Sequence, residues 1–141
     1  MSLERGIFER RFPNRVGDLG RVTEAAVRFL EKHGADNQAV YAAHLSIEEL
    51  VTNIIKYGYD DTASHEILLR LEVCPGIILL RLEDDGHEFN PLAAPTPDVD
   101  LPVAQRVPGG LGIHLVRNMV GEIQYQRSGG RNRLTITIRT S

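Results

Sequence analysis

The segment from Asn37 to Tyr57 constrains the fold of this 141-residue chain more than any other part of the sequence. Its apolar residues recur at spacings of three and four: Val40, Ala43, Ile47, Leu50, Val51, Ile54 and Ile55. Asp36 precedes the segment where an N-cap residue is expected, and Gly58 follows its last turn. The pattern predicts an amphipathic helix about 32 Å long, which is enough to cross a small domain.

The remaining elements are predicted from apolar periodicity and from the turn residues between them. In chain order they are a strand over residues 5–12, a helix over 18–33 before the long helix, strands over 66–73 and 77–83, a helix over 113–120, and strands over 122–127 and 132–139. The order β-α-α-β-β-loop-α-β-β predicts an α+β fold, a two-layer α/β sandwich whose mixed sheet is covered on one face by helices. At this length we expect one domain over residues 1–141.

A proline-rich stretch precedes the third predicted helix. Five of the seven prolines lie between Asn90 and Pro108, and the stretch has few large apolar residues. Structureless loops longer than about 12–15 residues inside a compact domain are usually functional and often cover active sites. We therefore expect residues 90–109 to form a lid over a binding site.

The composition argues against several classes of function. The chain has 16 Lys and Arg against 19 Asp and Glu, a net charge of −3, and no basic run longer than two residues. This charge pattern is not that of a nucleic-acid or anionic-membrane binder, so we expect neither as a partner. The first residues lack the apolar core of a signal peptide, which favours a cytoplasmic location. A single cysteine and five histidines without metal-site spacing argue against a transition-metal centre.

Four polar residues lie in the C-terminal half of the long predicted helix. Glu49, Asn53 and Lys56 stand at positions i, i+4 and i+7 and therefore project from one face, and Tyr57 follows them. A solvated helix face is the simpler interpretation of this pattern. The alternative is that a carboxylate, an amide oxygen and an ammonium group together serve a magnesium-bound phosphate.

Two further segments are candidates for ligand binding. Glu83-Asp84-Asp85-Gly86 ends an apolar strand with three acids, which suits either a turn or a carboxylate that accepts a hydrogen bond from a ligand amine. Gly109-Gly110-Leu111-Gly112 opens a helix, and the free N–H groups at a helix start can bind phosphate. The chain lacks the Gly-Lys-Ser/Thr of a P-loop, and Leu115 stands where a dinucleotide fingerprint needs its third glycine.

Together and in this order, these segments resemble the histidine-kinase-like ATPase superfamily, which includes gyrase, a heat-shock chaperone, histidine kinases and a mismatch-repair protein. Glu49-x-x-x-Asn53 resembles its N box, Asp84-x-Gly86 its first glycine box, and Gly110-x-Gly112 its second. The run from Asp84 to Pro91 and the ending Gly130-Arg131-Asn132-Arg133-Leu134-Thr135 look most like the bacterial anti-sigma-factor serine kinases.

The resemblance implies a Bergerat-type fold that binds ATP and Mg²⁺ as cofactors beneath a mobile lid. At the adenine end it implies that Asp84 accepts the amino proton of the base and that Gly86 permits close approach. At the reacting end it implies that Glu49 is the general base for a serine or threonine hydroxyl.

Around the phosphates the resemblance implies five further roles. Asn53 would be the Mg²⁺ ligand, Lys56 would neutralise phosphate charge, Tyr57 would lie near the ribose or phosphates, and the backbone of Gly110 and Gly112 would wrap the phosphates. Arg106 is the best candidate for the cation of the lid, with a solvated loop arginine as the alternative.

Two positions leave the pattern incomplete. Glu88 stands where the fuller first glycine box has another glycine, so that an acid lies near the nucleotide. A threonine that some relatives place on the last strands corresponds either to Asn132 or to Thr135.

The function implied by the resemblance is that of an ATP-dependent protein serine/threonine kinase in a partner-switching circuit. Such a protein holds a sigma factor or another regulator, phosphorylates a small antagonist protein that carries the acceptor Ser or Thr, and is expected to form a homodimer. The alternative is a non-catalytic, nucleotide-gated binding module. Glu49 favours the enzyme, because binding alone needs no base.

Overall fold

The computed structural model describes residues 5–93 and 110–140. Their elements in chain order are β1 (Gly6–Pro13), α1 (Val16–Lys32), α2 (Asn37–Tyr57), β2 (Glu66–Cys74), β3 (Ile77–Asp84), a 3₁₀ turn (Pro91–Ala93), α3 (Gly110–Met119), β4 (Glu122–Ser128) and β5 (Arg131–Arg139). Each predicted helix and strand is confirmed to within three residues at either end. The largest difference is the earlier start of α3, because glycine is a poor helix former and hides the first turn from the apolar pattern.

The five described strands form one sheet in the order β1-β2-β3-β5-β4. The predicted α+β class is confirmed, but the sheet is antiparallel at every pairing rather than mixed. Because β3 and β4 are both antiparallel to β5, they run in the same direction, as strands joined by one helix are expected to do. They do not pair with each other, because β5 lies between them.

The hydrophobic core lies between one face of this sheet and the helices. Along β3 the residues alternate between half-buried and buried, and Leu80 and Leu82 belong to the same buried cluster as Ile47 and Leu50 of α2. Asp84 continues the buried row at the end of β3. A carboxylate therefore ends an apolar row on the face of the sheet that is turned toward α2.

The ends of α2 are set by the residues that the sequence indicates. The Asp36 side chain accepts a hydrogen bond from the Ala39 amide at 2.8 Å, as an N-cap residue does, and the Gly58 amide donates to the carbonyl of Ile54 at the other end. No helix within the described ranges is long and apolar enough to cross a membrane.

Candidate functional site

The polar residues of α2 are not a uniformly solvated helix face. Asn53 is only 4% exposed and Glu49 is half-buried, whereas Lys56 and Tyr57 are exposed. The Asn53 amide nitrogen donates to the backbone carbonyl of Glu49 at 2.7 Å. This bond orients the side chain so that the oxygen Oδ1 remains the atom with which Asn53 can meet a ligand.

The first turn of α3 lies against the Glu49 side chain. A Cβ atom added at Gly112 would lie 2.6 Å from Glu49 Cδ, and closer still to Oε2, so only glycine fits there without moving the carboxylate. The second glycine segment is therefore next to the N-box carboxylate. Gly110 is the first residue of α3, where backbone N–H groups have no partner within the helix.

Asp84 is 3% exposed and is held by one of its two oxygens. Its Oδ1 accepts hydrogen bonds from the Gly86 amide at 2.9 Å and from the Asn132 side-chain amide at 3.0 Å. Its Oδ2 has no hydrogen bond to any residue that the structure describes. Asn132 lies directly opposite Asp84 in the β3–β5 pairing, whereas Thr135 lies opposite Arg81, so it is Asn132 that meets the predicted base-reading carboxylate.

Gly86 lies close to the end of α2. A Cβ atom at Gly86 would lie 3.0 Å from the carbonyl carbon of Gly58 and closer to its oxygen, and the His87 amide donates to that oxygen at 2.9 Å. The His87 ring also contacts Asp60 at 3.1 Å. The bare backbone of Gly86 is thus required for the loop after β3 to pack on α2, in addition to any contact with a base.

The three predicted motifs therefore converge along one stretch of α2. Gly86 meets the helix at Gly58, and Gly112 meets it at Glu49. These contacts are nine residues apart along the chain, or about 14 Å along a helix axis. Asn53 lies between them, so the two glycine segments meet α2 on either side of a buried amide.

The exposed residues Lys56 and Tyr57 stand beside this row. The Tyr57 ring lies 6.3 Å from that of Phe89, and Lys56 makes no ion pair with residues 5–93 or 110–140. The lid cation Arg106 and residues 94–109 of the predicted lid lie outside the described residues, so their positions stay predictions.

An additional cluster next to Asp84 is not indicated by any motif in the sequence. The His65 ring lies between two carboxylates, with Nε2 at 2.8 Å from Asp61 and Nδ1 at 3.3 Å from Asp85. The hydrogen bond with Asp61, together with Asp85, raises the pKa of His65, and His65 in turn lowers the pKa of Asp61. Because both ring nitrogens face acceptors, the charged imidazolium suits this position.

Tyr59 stacks on this histidine, with 4.4 Å between ring centroids. Burial, followed by the nearby Asp84 charge, raises the pKa of Tyr59, so its hydroxyl stays protonated. That hydroxyl is buried and finds no hydrogen-bond partner within the described part of the chain. Among the same residues, no group of three or more His, Cys, Asp or Glu side chains could hold a metal ion.

The chain is similar to known proteins in both sequence and fold. The chain is 29% identical over 93 residues to the serine/threonine-protein kinase BtrW of Bordetella bronchiseptica, a match that covers 66% of each protein. The fold is similar to a solved structure of the RsbU and RsbW domains of Rv1364c from Mycobacterium tuberculosis, with a TM-score of 0.66 at 16% identity. That match covers 96% of this chain and 32% of the solved chain, so this chain spans about a third of its length.

The family comparison covers nearly the whole sequence. Residues 12–138 match the histidine kinase-like ATPase domain, a range that includes all the residues proposed here to bind nucleotide. The chain therefore belongs to the histidine kinase-like ATPase family, and this membership implies ATP as its nucleotide.

Proposed function

We propose that this chain is a protein serine/threonine kinase that transfers the γ-phosphoryl group of ATP to a partner protein. The observation that carries the proposal is the position of Glu49. Its carboxylate lies one helical turn from the buried Asn53 and against the first turn of α3 at Gly112. A carboxylate is thus held near a buried amide and a glycine-rich helix start, which supports a role for Glu49 as general base.

At the adenine end, Asp84 would read the base. Its Oδ1 is occupied by Gly86 and Asn132, which leaves Oδ2 to accept a hydrogen bond from the exocyclic amino group. A carboxylate oxygen accepts but does not donate when ionised, so it favours an amino group over a carbonyl at that position of a purine.

At the phosphate end, the chain would contribute five groups. Asn53 Oδ1 is a suitable single ligand for Mg²⁺, a hard cation that keeps water and phosphate oxygens as its other ligands and neutralises phosphate charge. Lys56 is exposed beside it and adds a positive charge, and the backbone N–H groups at Gly110 and Gly112 suit phosphate oxygens. Arg106 would add a second cation from the lid.

Glu49 would carry out the proton transfer. It accepts the proton of the acceptor hydroxyl while that oxygen forms a bond to the γ-phosphorus and the bond from the γ-phosphorus to the bridging oxygen of ADP breaks. The products are a phosphoserine or phosphothreonine on the partner, ADP, and a proton held by the Glu49 carboxylate. General-base assistance of this kind contributes about 10²–10⁴-fold to the rate.

The proposed partners rest on the resemblance to the anti-sigma-factor kinases, and the similarity to the Bordetella serine/threonine-protein kinase supports them. We propose a partner-switching circuit in which a homodimer of this chain holds a sigma factor or another regulator and phosphorylates a small antagonist protein. The competing proposal is a nucleotide-gated binding module in which ATP changes partner affinity without phosphoryl transfer.

Phosphate transfer to a captured partner distinguishes the two proposals. Tagged protein is incubated with extract of its own cells, with and without ATP, and bound proteins that acquire phosphoserine or phosphothreonine are purified as substrates. Glu49→Gln should reduce transfer to that substrate by about 10²–10⁴-fold and leave ATP affinity nearly unchanged.

Glu48→Gln is the matched control. Glu48 is the neighbouring half-buried carboxylate of α2 and contacts His44 on the same helix, so its loss should leave transfer at the wild-type rate. If Glu49→Gln transferred phosphate as fast as wild type, Glu49 would not be the base. If wild type bound ATP but phosphorylated none of its ATP-dependent partners, the binding module would replace the kinase.

A further inference from the structure

A row of three polar residues crosses the sheet behind the base-reading carboxylate. Asp84 of β3 is paired with Asn132 of β5, and Asn132 is paired with Arg127 of β4. Residues directly opposite one another on neighbouring strands share a face of the sheet. An anion, an amide and a cation therefore stand side by side on the face that is turned toward α2.

The side-chain amide of Asn132 is fully hydrogen-bonded within the protein. Its nitrogen donates to Asp84 Oδ1 at 3.0 Å and to the His87 carbonyl at 2.8 Å. Its oxygen accepts from Arg127 Nη1 at 2.9 Å and from the Tyr125 hydroxyl. An amide has two N–H donors and two acceptor lone pairs, so no capacity remains for a ligand.

Arg127 reaches the same segment by a second route. Its Nη1 also donates to the Gly86 carbonyl at 3.0 Å, so one guanidinium group holds both Asn132 and the backbone two residues after Asp84. Because Gly86 itself donates to Asp84 Oδ1, the bonds form a closed ring through Asp84, Asn132, Arg127 and Gly86.

This ring of hydrogen bonds fixes the orientation of the Asp84 carboxylate. Both donors act on Oδ1, so rotation of the carboxylate would break two hydrogen bonds, and the Arg127 guanidinium is linked to the carboxylate through the Asn132 amide. Hydrogen bonds in a chain polarise one another, so the guanidinium strengthens the bonds that orient the carboxylate.

We propose that Arg127, acting through Asn132, is a positioning residue that holds the Asp84 carboxylate with Oδ2 directed at the nucleotide, and so sets the preference for adenine. The inference rests on the proposed role of Asp84 in base reading. Arg127 itself touches no nucleotide atom in this proposal. Its loss should weaken ATP but have little effect on a purine nucleotide that lacks the 6-amino group, because the carbonyl at that position cannot donate to Asp84.

Arg133→Gln is a matched control for Arg127→Gln. Arg133 lies on the same β4–β5 hairpin and also makes two bonds to a β3 acid, from Nε and Nη2 to Glu83 Oε1 at 3.1 and 3.0 Å. That pair lies on the opposite face of the sheet, because successive strand residues point to opposite faces. It therefore tests for a general effect of removing an arginine from the hairpin.

The test is calorimetric titration with ATP and with inosine triphosphate, which carries a carbonyl in place of the 6-amino group. Arg127→Gln should weaken ATP by roughly 10-fold and inosine triphosphate by much less, so that the ratio of the two affinities falls. Arg133→Gln should leave the ratio at its wild-type value. In an Asp84→Asn background, Arg127→Gln should cause almost no further loss of ATP affinity.

Two results would overturn the inference. In the first, both affinities of folded Arg127→Gln equal those of wild type, which would show that the arginine does not position Asp84. In the second, ATP and inosine triphosphate are weakened equally, which would show that its role is a general structural one. If Arg127→Gln does not fold, Asn132→Ala breaks the same link between Arg127 and Asp84, and a wild-type ratio in that variant would also contradict the proposal. Failure of wild type to bind ATP would instead refute the proposed function and this inference with it.

Discussion

Replacing Gly112 by alanine tests whether the contact between α3 and α2 holds the proposed base in place. The added Cβ would lie 2.6 Å from Glu49 Cδ, whereas ordinary van der Waals contact begins at 3.4 Å. The Glu49 carboxylate is the flexible partner in this contact, so its Cδ should withdraw by about 0.8 Å, and the closer Oε2 by more, while the backbone of both helices stays in place.

A shift of this size is large for proton transfer and small for folding. Misplacement of a reacting group by about 1 Å can reduce a rate by about 10²-fold, and we expect a loss of that order in transfer at saturating ATP. Alanine is favoured over glycine inside helices by roughly 1 kcal/mol, which should offset much of the cost of moving the carboxylate. The thermal midpoint should therefore change little.

The assay is single-turnover phosphate transfer at saturating ATP, with ATP affinity measured separately because Gly112 is also proposed to lie along the phosphates. Gly20→Ala in α1 is the matched control, since a Cβ there meets nothing within 4 Å; it should stabilise the protein and leave transfer unchanged. In a Glu49→Gln background, Gly112→Ala should cause no further loss. A wild-type transfer rate in Gly112→Ala would refute the reasoning.

Two further predictions concern the cluster beside Asp84. Tyr59→Phe should leave the free energy of unfolding unchanged or raise it slightly, because the buried hydroxyl has no partner in the described residues. Tyr125→Phe should lower the free energy of unfolding by about 1 kcal/mol, because it removes a hydrogen bond to Asn132; denaturant titration of both variants measures this contrast. The contribution of His65 to stability should be complete below its ordinary pKa of 6.5 and be lost as the pH rises through its raised pKa in the folded protein. The contribution of Asp61 should be present at pH values above its ordinary pKa of 3.8 and be lost as the pH falls through its lowered pKa. As the pH is raised above the pKa of His65, the thermal midpoint should therefore fall less steeply in His65→Gln than in wild type. Identical pH profiles of the two proteins would contradict the assigned ion pairs.

The elements of this fold were predictable where local chemistry specifies both ends. The bounds of α2 are confirmed because Asp36 and Gly58 act as the end signals that their residue types suggest. The family resemblance is confirmed as well, since the ordered motifs on α2, at the end of β3 and at the start of α3 depend on local spacing.

Other features depend on pairing between distant strands, which local patterns do not specify. The sequence predicts a mixed sheet because it does not show that β5 inserts between β3 and β4. For the same reason it leaves Asn132 and Thr135 as equal alternatives and gives no reason to select Arg127. Both residues are identified only by the strand register, which places Asp84, Asn132 and Arg127 in one row.

The position of β5 has a consequence for how the protein is made. β5 is synthesised after every other described element, yet it occupies an inner place in the sheet. A nascent chain on the ribosome therefore exposes an unpaired edge on β3, an apolar strand of the kind that promotes aggregation, until residues 131–139 emerge. Asp84 also lacks the Asn132 donor during that interval. Nucleotide affinity should consequently appear only after residues 131–139 have emerged, and the slow, long-range insertion of β5 should set the time at which the domain first binds its ligand.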